Sequence, residues 1–183
     1  MRWQYVASMR TFRTALAAAA LHGSVYAIGG YGGADWLRTV ERYDPERNEW
    51  MDVAELRVPR TVLAAAACGG RIYAMGGFDG SRCTDVVERY DPRIDKWEFA
   101  APMRTRRKAF AAVVLDGMVY AIGGDNGNER LNIVERYDPQ TDKWEFVAPM
   151  QIRRSFLAAA ALNGSIFALG GSDGALRFND VEK

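Results

Sequence analysis

The sequence is poor in the side chains that most enzyme and metal sites require. It has one histidine, His22, and two cysteines, Cys68 and Cys83, among 183 residues. A zinc or copper site needs several histidine, cysteine or carboxylate ligands that converge on one point. A Ser-His-Asp set likewise needs a histidine placed beside its nucleophile. We therefore expect no catalytic residue, no metal and no cofactor, and we do not expect an enzyme.

Long apolar runs and a strong excess of charge are also lacking. No apolar stretch reaches the length of a membrane span, and the first residues show no signal peptide. The net charge of +1 gives no indication of nucleic-acid or membrane binding. Two cysteines do not make a disulfide framework, so we expect a cytoplasmic protein in which Cys68 and Cys83 remain unpaired.

What the sequence does contain is a repeat with a step of 47 residues. Four kinds of residue mark it: glycine doublets, Tyr-Asp-Pro triplets, tryptophans and arginines. The doublets begin at Gly29, Gly76, Gly123 and Gly170, the triplets begin at Tyr43, Tyr90 and Tyr137, the tryptophans are Trp3, Trp50, Trp97 and Trp144, and the arginines are Arg13, Arg60, Arg107 and Arg154. A period of this length indicates a repeat architecture in which each unit is one supersecondary element.

Each repeat is predicted to contain four short strands and no helix. An alanine-rich run, residues 15–21 in the first repeat, is followed by a glycine turn and by a second apolar run, residues 25–28. Alanine favours helix on propensity alone, but two short runs joined by a tight turn are typical of a β-hairpin. A third strand then ends at the Tyr-Asp-Pro turn, and the fourth begins at Trp50.

Together, the glycine doublet, the Glu-Arg-Tyr-Asp-Pro run and the spaced tryptophans resemble the Kelch repeat. They are most similar to the propellers of Kelch-like (BTB-Kelch) substrate adaptors. The resemblance implies an all-β, Kelch-type β-propeller with four antiparallel strands in each blade, and the four repeats predict four blades where the adaptors usually have six. It makes residues 1–183 a single domain, with repeats at about 13–59, 60–106, 107–153 and 154–183. The function it implies is a protein-interaction module or scaffold.

The last repeat stops inside its third strand, because residues 181–183 align with residues 40–42. Residues 3–9 match the strand that the last repeat lacks. We therefore predict that the N-terminal strand closes the ring, with residues 1–12 completing the last blade of a monomer. Closure would remove two free sheet edges. The alternatives are an engineered or excised array, or an open ring in which two chains form a homodimer.

Partner binding is expected at one end of the strands, where the loops vary between repeats. The resemblance implies three places in each blade: the residue after the leading arginine, the residue after the glycine doublet, and the loop residue six places beyond that doublet. These are Thr14, Thr61, Lys108 and Ser155; Tyr31, Phe78, Asp125 and Ser172; and Trp36, Cys83, Arg130 and Arg177; Arg82 lies beside them. The alternative function is a metal-dependent or small-molecule enzyme in the central channel, which the single histidine disfavours.

The chemistry of these places suggests the kind of partner. The chain has 20 arginines and four lysines, and the forked guanidinium group suits carboxylates. We predict that the face binds a protein or an acidic, turn-forming peptide, with Arg130 and Arg177 free to pair with it. The leading arginines, Arg107 and Arg154 above all, are expected to be tied up structurally. The glutamates that recur in the third strands are expected to form pairs between blades.

Overall fold

The computed structural model describes residues 2–183, which form fifteen β-strands in four antiparallel sheets. We call the sheets blades 1 to 4 in chain order. Their strands are β1 Ala17–Leu21, β2 Ser24–Ile28, β3 Val40–Asp44 and β4 Glu49–Val53; β5 Ala64–Cys68, β6 Arg71–Met75, β7 Val87–Asp91 and β8 Lys96–Ala100; β9 Ala111–Leu115, β10 Met118–Ile122, β11 Val134–Asp138 and β12 Lys143–Val147; and β13 Ala158–Leu162, β14 Ser165–Leu169 and β15 Val181–Glu182. The all-β propeller arrangement of four antiparallel blades is thus confirmed. No helix occurs in this range, and so none that could span a membrane.

The alanine-rich runs are strands, as the hairpin pattern predicted. Each pairs with the following strand, so that Ala17 lies opposite Ile28 and Leu21 opposite Ser24. The intervening His22 and Gly23 have φ values of 48° and 78°, as expected for a tight two-residue hairpin turn. The first strands of neighbouring blades contact each other, which places the alanines innermost. Small side chains suit this position because the blades converge there.

A buried ion pair holds each leading arginine to the third strand of its own blade. In blade 2, Arg60 Nη2 lies 2.6 Å from Glu88 Oε1, and neither side chain is exposed to solvent. The Arg60 backbone is bound to blade 1, because its N–H donates to the carbonyl of Leu37 (3.0 Å) and its carbonyl accepts from Gly30 (2.9 Å). Each predicted pair therefore links two blades. The main chain of the arginine is hydrogen-bonded to one blade, and its side chain is paired with the third strand of the next.

The recurring aromatic residues pack between blades. Tyr26 of blade 1 meets Tyr90 of blade 2 edge to face, with ring centroids 5.7 Å apart. Trp97 is 2% exposed, and its indole N–H donates to the carbonyl of Ala54, 2.9 Å away in the segment that leaves blade 1. Buried indole and phenol groups with satisfied donors contribute strongly to such interfaces.

The predicted closure by the N-terminal strand does not occur in this structure. Blade 4 contains only β13, β14 and β15, and residues 2–9 belong to no strand. Trp3, which was expected to lie in that blade, is fully exposed. Contacts run from β1 to β5, from β5 to β9 and from β9 to β13, but no comparable set joins β13 to β1. Because the last blade is not joined to the first in this way, the four blades form an open arc within residues 2–183.

Candidate partner-binding face

The loops that follow the glycine doublets and the linkers that enter the first strands meet at one end of the blades, which we call the loop face. In each blade, three residues of this face are joined by isolated antiparallel bridges. The four triplets are Thr14–Tyr31–Trp36, Thr61–Phe78–Cys83, Lys108–Asp125–Arg130 and Ser155–Ser172–Arg177. The structure thus brings together, blade by blade, all twelve places that the sequence predicted.

Each triplet is fixed by its backbone. In blade 2, the N–H of Thr61 donates to the carbonyl of Phe78 (3.0 Å), and the N–H of Phe78 donates back to Thr61 (2.8 Å). Gly77 precedes this short ladder with φ of 98°, and a side chain there would lie 2.7 Å from the Thr61 carbonyl oxygen. The glycine doublet therefore turns the chain from the second strand into the loop face.

The side chains at the predicted places differ in their exposure to solvent, and so in how accessible they are to a partner. Those of Thr14, Trp36, Arg82 and Arg177 are exposed, and those of Tyr31, Phe78, Lys108, Arg130 and Ser172 are partly buried. Four are buried: Thr61, Cys83, Asp125 and Ser155. Thr61 and Ser155 direct their hydroxyl groups to backbone carbonyls 3.3 Å away. The buried four therefore shape the face in this conformation and do not offer a contact surface.

A feature that the sequence reasoning missed is the contact between neighbouring loops. Trp36 lies against Gly80 of the next blade, where a side chain would be 3.0 Å from the indole ring. Cys83 in turn lies beside Gly127, and Arg130 lies beside Gly174. The sequence does contain a signal for these contacts, because Gly80, Gly127 and Gly174 recur at the same 47-residue step.

Aromatic side chains form a continuous strip across blades 1 and 2. Trp36 stands between Tyr31 and Phe78, with centroid distances of 6.1 and 6.2 Å. The Nζ atom of Lys108 lies 5.2 Å from the centroid of Phe78, which extends the strip to blade 3 through a cation–π contact. Trp36 remains 40% exposed, so the strip offers accessible apolar area.

One prediction about the charges on the loop face, that Arg130 is free to pair with a partner, was wrong. Arg130 is not free, because its guanidinium group forms an ion pair with Asp125, the neighbouring member of its triplet. Arg107 and Arg154 are completely buried in ion pairs with third-strand glutamates, as expected. Three exposed arginines of this face form no ion pair within residues 2–183: Arg82, Arg106 and Arg177.

The surroundings of two titratable groups on this face shift their pKa values. Partial burial alone would raise the pKa of Asp79, but hydrogen bonds from the N–H groups of Arg82 and Ser81 and from the Ser81 hydroxyl hold it below its usual value. Burial raises the pKa of the Cys83 thiol, which keeps it neutral. Both cysteines are free, and residues 2–183 contain no cluster of three or more potential metal ligands.

Comparison with known proteins agrees with this architecture. The family model described as "Kelch motif" matches residues 13–57, 59–104, 106–151 and 153–183. Human Kelch-like protein 4 is 45% identical over 47 residues, which are 26% of this chain and 6% of that protein. The solved "Structure of YjhT" superposes with a TM-score of 0.84 at 18% identity and covers 93% of this chain and 62% of that one, which shows a common fold. The chain thus corresponds to a small part of that human relative.

Proposed function

Because this chain belongs to the Kelch-repeat family, we propose that it is a protein-interaction module that holds a peptide or protein partner on the loop face. The observation that carries the proposal is the set of four triplets, in which one backbone arrangement presents different side chains in every blade. A constant scaffold with varied loop residues is the usual basis of recognition. The proposal assigns binding and no catalysis, in a cytoplasmic setting that suits the two free cysteines.

The aromatic strip supplies the proposed anchor. Trp36 is exposed on one side and held on the other by Tyr31 and Phe78. An aromatic residue that is already held by its neighbours loses little conformational entropy on binding, and tryptophan, tyrosine and arginine dominate binding hot spots. We therefore assign the apolar part of the partner to this strip, on blades 1 and 2.

The unpaired arginines supply the proposed charge selectivity. Arg82, Arg106 and Arg177 reach solvent on blades 2 to 4 and form no ion pair with any other residue that the structure describes. A partner carboxylate that excludes water on binding would form charge-assisted hydrogen bonds there, each worth about 1.5–3 kcal/mol once desolvated. The partner is accordingly an acidic peptide, turn-forming and with an apolar residue for the strip. Arg130, which is already paired, is left out of this assignment.

A titration of acidic, turn-forming peptides against matched arginine variants tests the proposal. The parent is compared with Arg82→Ala/Arg177→Ala and with Arg47→Ala/Arg93→Ala, which removes two arginines from the turns at the opposite end of the blades. We expect the first variant to bind at least about tenfold more weakly, since the loss of one charge-assisted bond already corresponds to that factor. The second should bind as the parent does. Equal losses in both variants, or a preference for basic peptides, would contradict the assignment.

A further inference from the structure

A cavity of about 300 Å³ lies between blades 1 and 2, at the end of the strands opposite the loop face. Three hairpins line it: β1–β2 with His22, β5–β6 with Gly69, Gly70 and Arg71, and β7–β8 with Asp91 and Arg93. The Nε2 atom of His22 reaches across the junction, to 3.9 Å from the place where a side chain at Gly70 would begin. The cavity therefore brings together two arginines and the only histidine of the chain.

Both arginines contact Asp91 and still have free donors. Arg93 binds Asp91 through Nε (3.1 Å) and Nη2 (2.8 Å), and Arg71 binds it through Nη2 alone, at 3.4 Å. Each guanidinium group has five N–H donors, and those on Arg71 Nε and on Nη1 of both arginines make no hydrogen bond within residues 2–183. The hydrogen bonds from Arg93 hold the pKa of Asp91 below its usual value, so this carboxylate stays charged and orients both guanidinium groups.

The aspartate of this turn does not itself require an arginine. Its counterpart in blade 3, Asp138, accepts from the N–H of Gln140 (2.8 Å) and from the hydroxyl group of Thr141 (2.8 Å). Asp138 forms no ion pair within residues 2–183, and Gln140 stands where blade 2 has Arg93. The two arginines of the cavity are therefore not explained by the needs of the turn.

The basic residues of the cavity are departures from the repeat. Their counterparts at the 47-residue step are Gly69, Asp116 and Asn163 for His22; Ser24, Met118 and Ser165 for Arg71; and Glu46 and Gln140 for Arg93. No counterpart is basic, so the corresponding place between blades 2 and 3 has no positive side chain from these positions. Three departures that meet in one cavity favour a ligand particular to this junction over a requirement of the fold.

We propose that this cavity binds a phosphate group, either free phosphate or a phosphorylated side chain of a partner. The two guanidinium groups and one carboxylate leave one net positive charge, and His22 adds a second when it is protonated. This charge matches a phosphate group, which carries about −1.5 to −2 at neutral pH. The site lies away from the loop face and does not depend on the function proposed for that face.

The shape of the donor set favours phosphate over carboxylate. A carboxylate has two oxygens in one plane and is satisfied by a single forked guanidinium group, whereas a phosphate group has three acceptor oxygens. It can therefore accept from all three hairpins at once. The N–H groups of Gly69 and Gly70 line the same cavity and donate to no backbone carbonyl within residues 2–183, which adds uncharged donors to the site.

A nuclear magnetic resonance titration with inorganic phosphate, at constant ionic strength, tests the location of the site. We expect the largest shifts of backbone amide signals at His22, Gly70 and Arg71. The midpoint should lie below about 1 mM, which two or three charge-assisted bonds supply. Gly117, at the corresponding place between blades 2 and 3, should not shift. Shifts that are largest on the loop face, or that do not saturate, would overturn the proposal.

Substitutions taken from the other repeats test the two arginines. Arg71→Met and Arg93→Gln each introduce the residue that blade 3 carries at the same place, and Arg93 is exposed, so its replacement leaves the core intact. We expect each variant to keep the dispersed amide spectrum of the parent and to bind phosphate at least about tenfold more weakly. The control, Lys143→Gln, removes an exposed lysine at the same end of blade 3 and should bind as the parent does. Parental affinity in Arg93→Gln, or an equal loss in Lys143→Gln, would contradict the site.

A blocked tripeptide that contains phosphoserine distinguishes the two sources of phosphate. Tighter binding of this tripeptide than of inorganic phosphate would assign the site to a phosphorylated partner, and equal or weaker binding would assign it to free phosphate. The same tripeptide with unmodified serine, and acetate, serve as controls and should leave the signals of Gly70 and Arg71 unchanged. If either control binds as tightly as phosphate does, the cavity does not select phosphate and the proposal fails.

Discussion

Replacing Glu88 by alanine is expected to lower the free energy of unfolding by about 3–5 kcal/mol, the usual cost of removing one partner from a buried ion pair. Glu88 Oε1 bonds the guanidinium group of Arg60, and Glu88 Oε2 accepts the N–H of Arg57 at 2.7 Å. Burial lowers the pKa of Arg60 and the charge of Glu88 offsets part of that effect. The substitution thus leaves a buried cation without its counter-charge and a linker N–H without an acceptor.

The control for this experiment is Glu98→Ala. Glu98 lies on the next strand, is paired with Arg89 and Lys96, and keeps 44% of its side chain exposed. Exposed pairs of this kind contribute about 0–1 kcal/mol. Urea unfolding of both variants measures the difference. If Glu88→Ala and Glu98→Ala lose similar amounts, the buried pair is not what holds adjacent blades together.

Gly77→Ala is expected to be the second large loss, of about 2–6 kcal/mol. The backbone at Gly77 has φ of 98°, which costs any other residue about 1–3 kcal/mol. The new methyl group would also lie 2.7 Å from the Thr61 carbonyl oxygen and 3.0 Å from the Leu63 Cβ atom, and overpacking of this kind adds about 1–3 kcal/mol.

Gly33→Ala separates the two contributions. Gly33 has the same φ of 98°, but apart from its two chain neighbours no heavy atom of residues 2–183 lies within 4 Å of the place where its side chain would be. Gly33→Ala should therefore lose only the stability that the backbone conformation costs, about 1–3 kcal/mol. Thermal unfolding should show Gly77→Ala to be clearly less stable than Gly33→Ala. Equal melting temperatures for the two variants would show that the doublet is not needed for close approach to the linker.

The repeat predicted the strands well because its markers are local. Short apolar runs, glycine turns and the Tyr-Asp-Pro turn specify hairpins without reference to the rest of the chain, and the alanine runs became strands despite their helix propensity. The buried arginines were also predictable, since an arginine and a glutamate recurring at every blade indicate a structural pair. The twelve loop places came from the family resemblance, and the bridges between them show that they lie together.

What could not be predicted depends on distances between blades. Whether the ring closes is set by the angle at each junction, and the sequence markers do not contain that angle. Trp3 resembles the other tryptophans in sequence but lies outside any sheet. The burial of Cys83 and the pairing of Arg130 with Asp125 follow from a short ladder and a neighbouring loop, neither of which the pattern of strands revealed.

The most direct test of the binding face is a nuclear magnetic resonance titration of the isotopically labelled protein with an acidic, turn-forming peptide. The account predicts that the largest shifts of backbone amide signals fall on the loop face, at Tyr31, Trp36, Phe78 and Arg177. The hairpin and Tyr-Asp-Pro turns at the opposite end, such as Gly70 and Asn163, should remain unchanged. Shifts concentrated at that opposite end, or no shifts at a peptide excess that saturates binding of micromolar affinity, would contradict it.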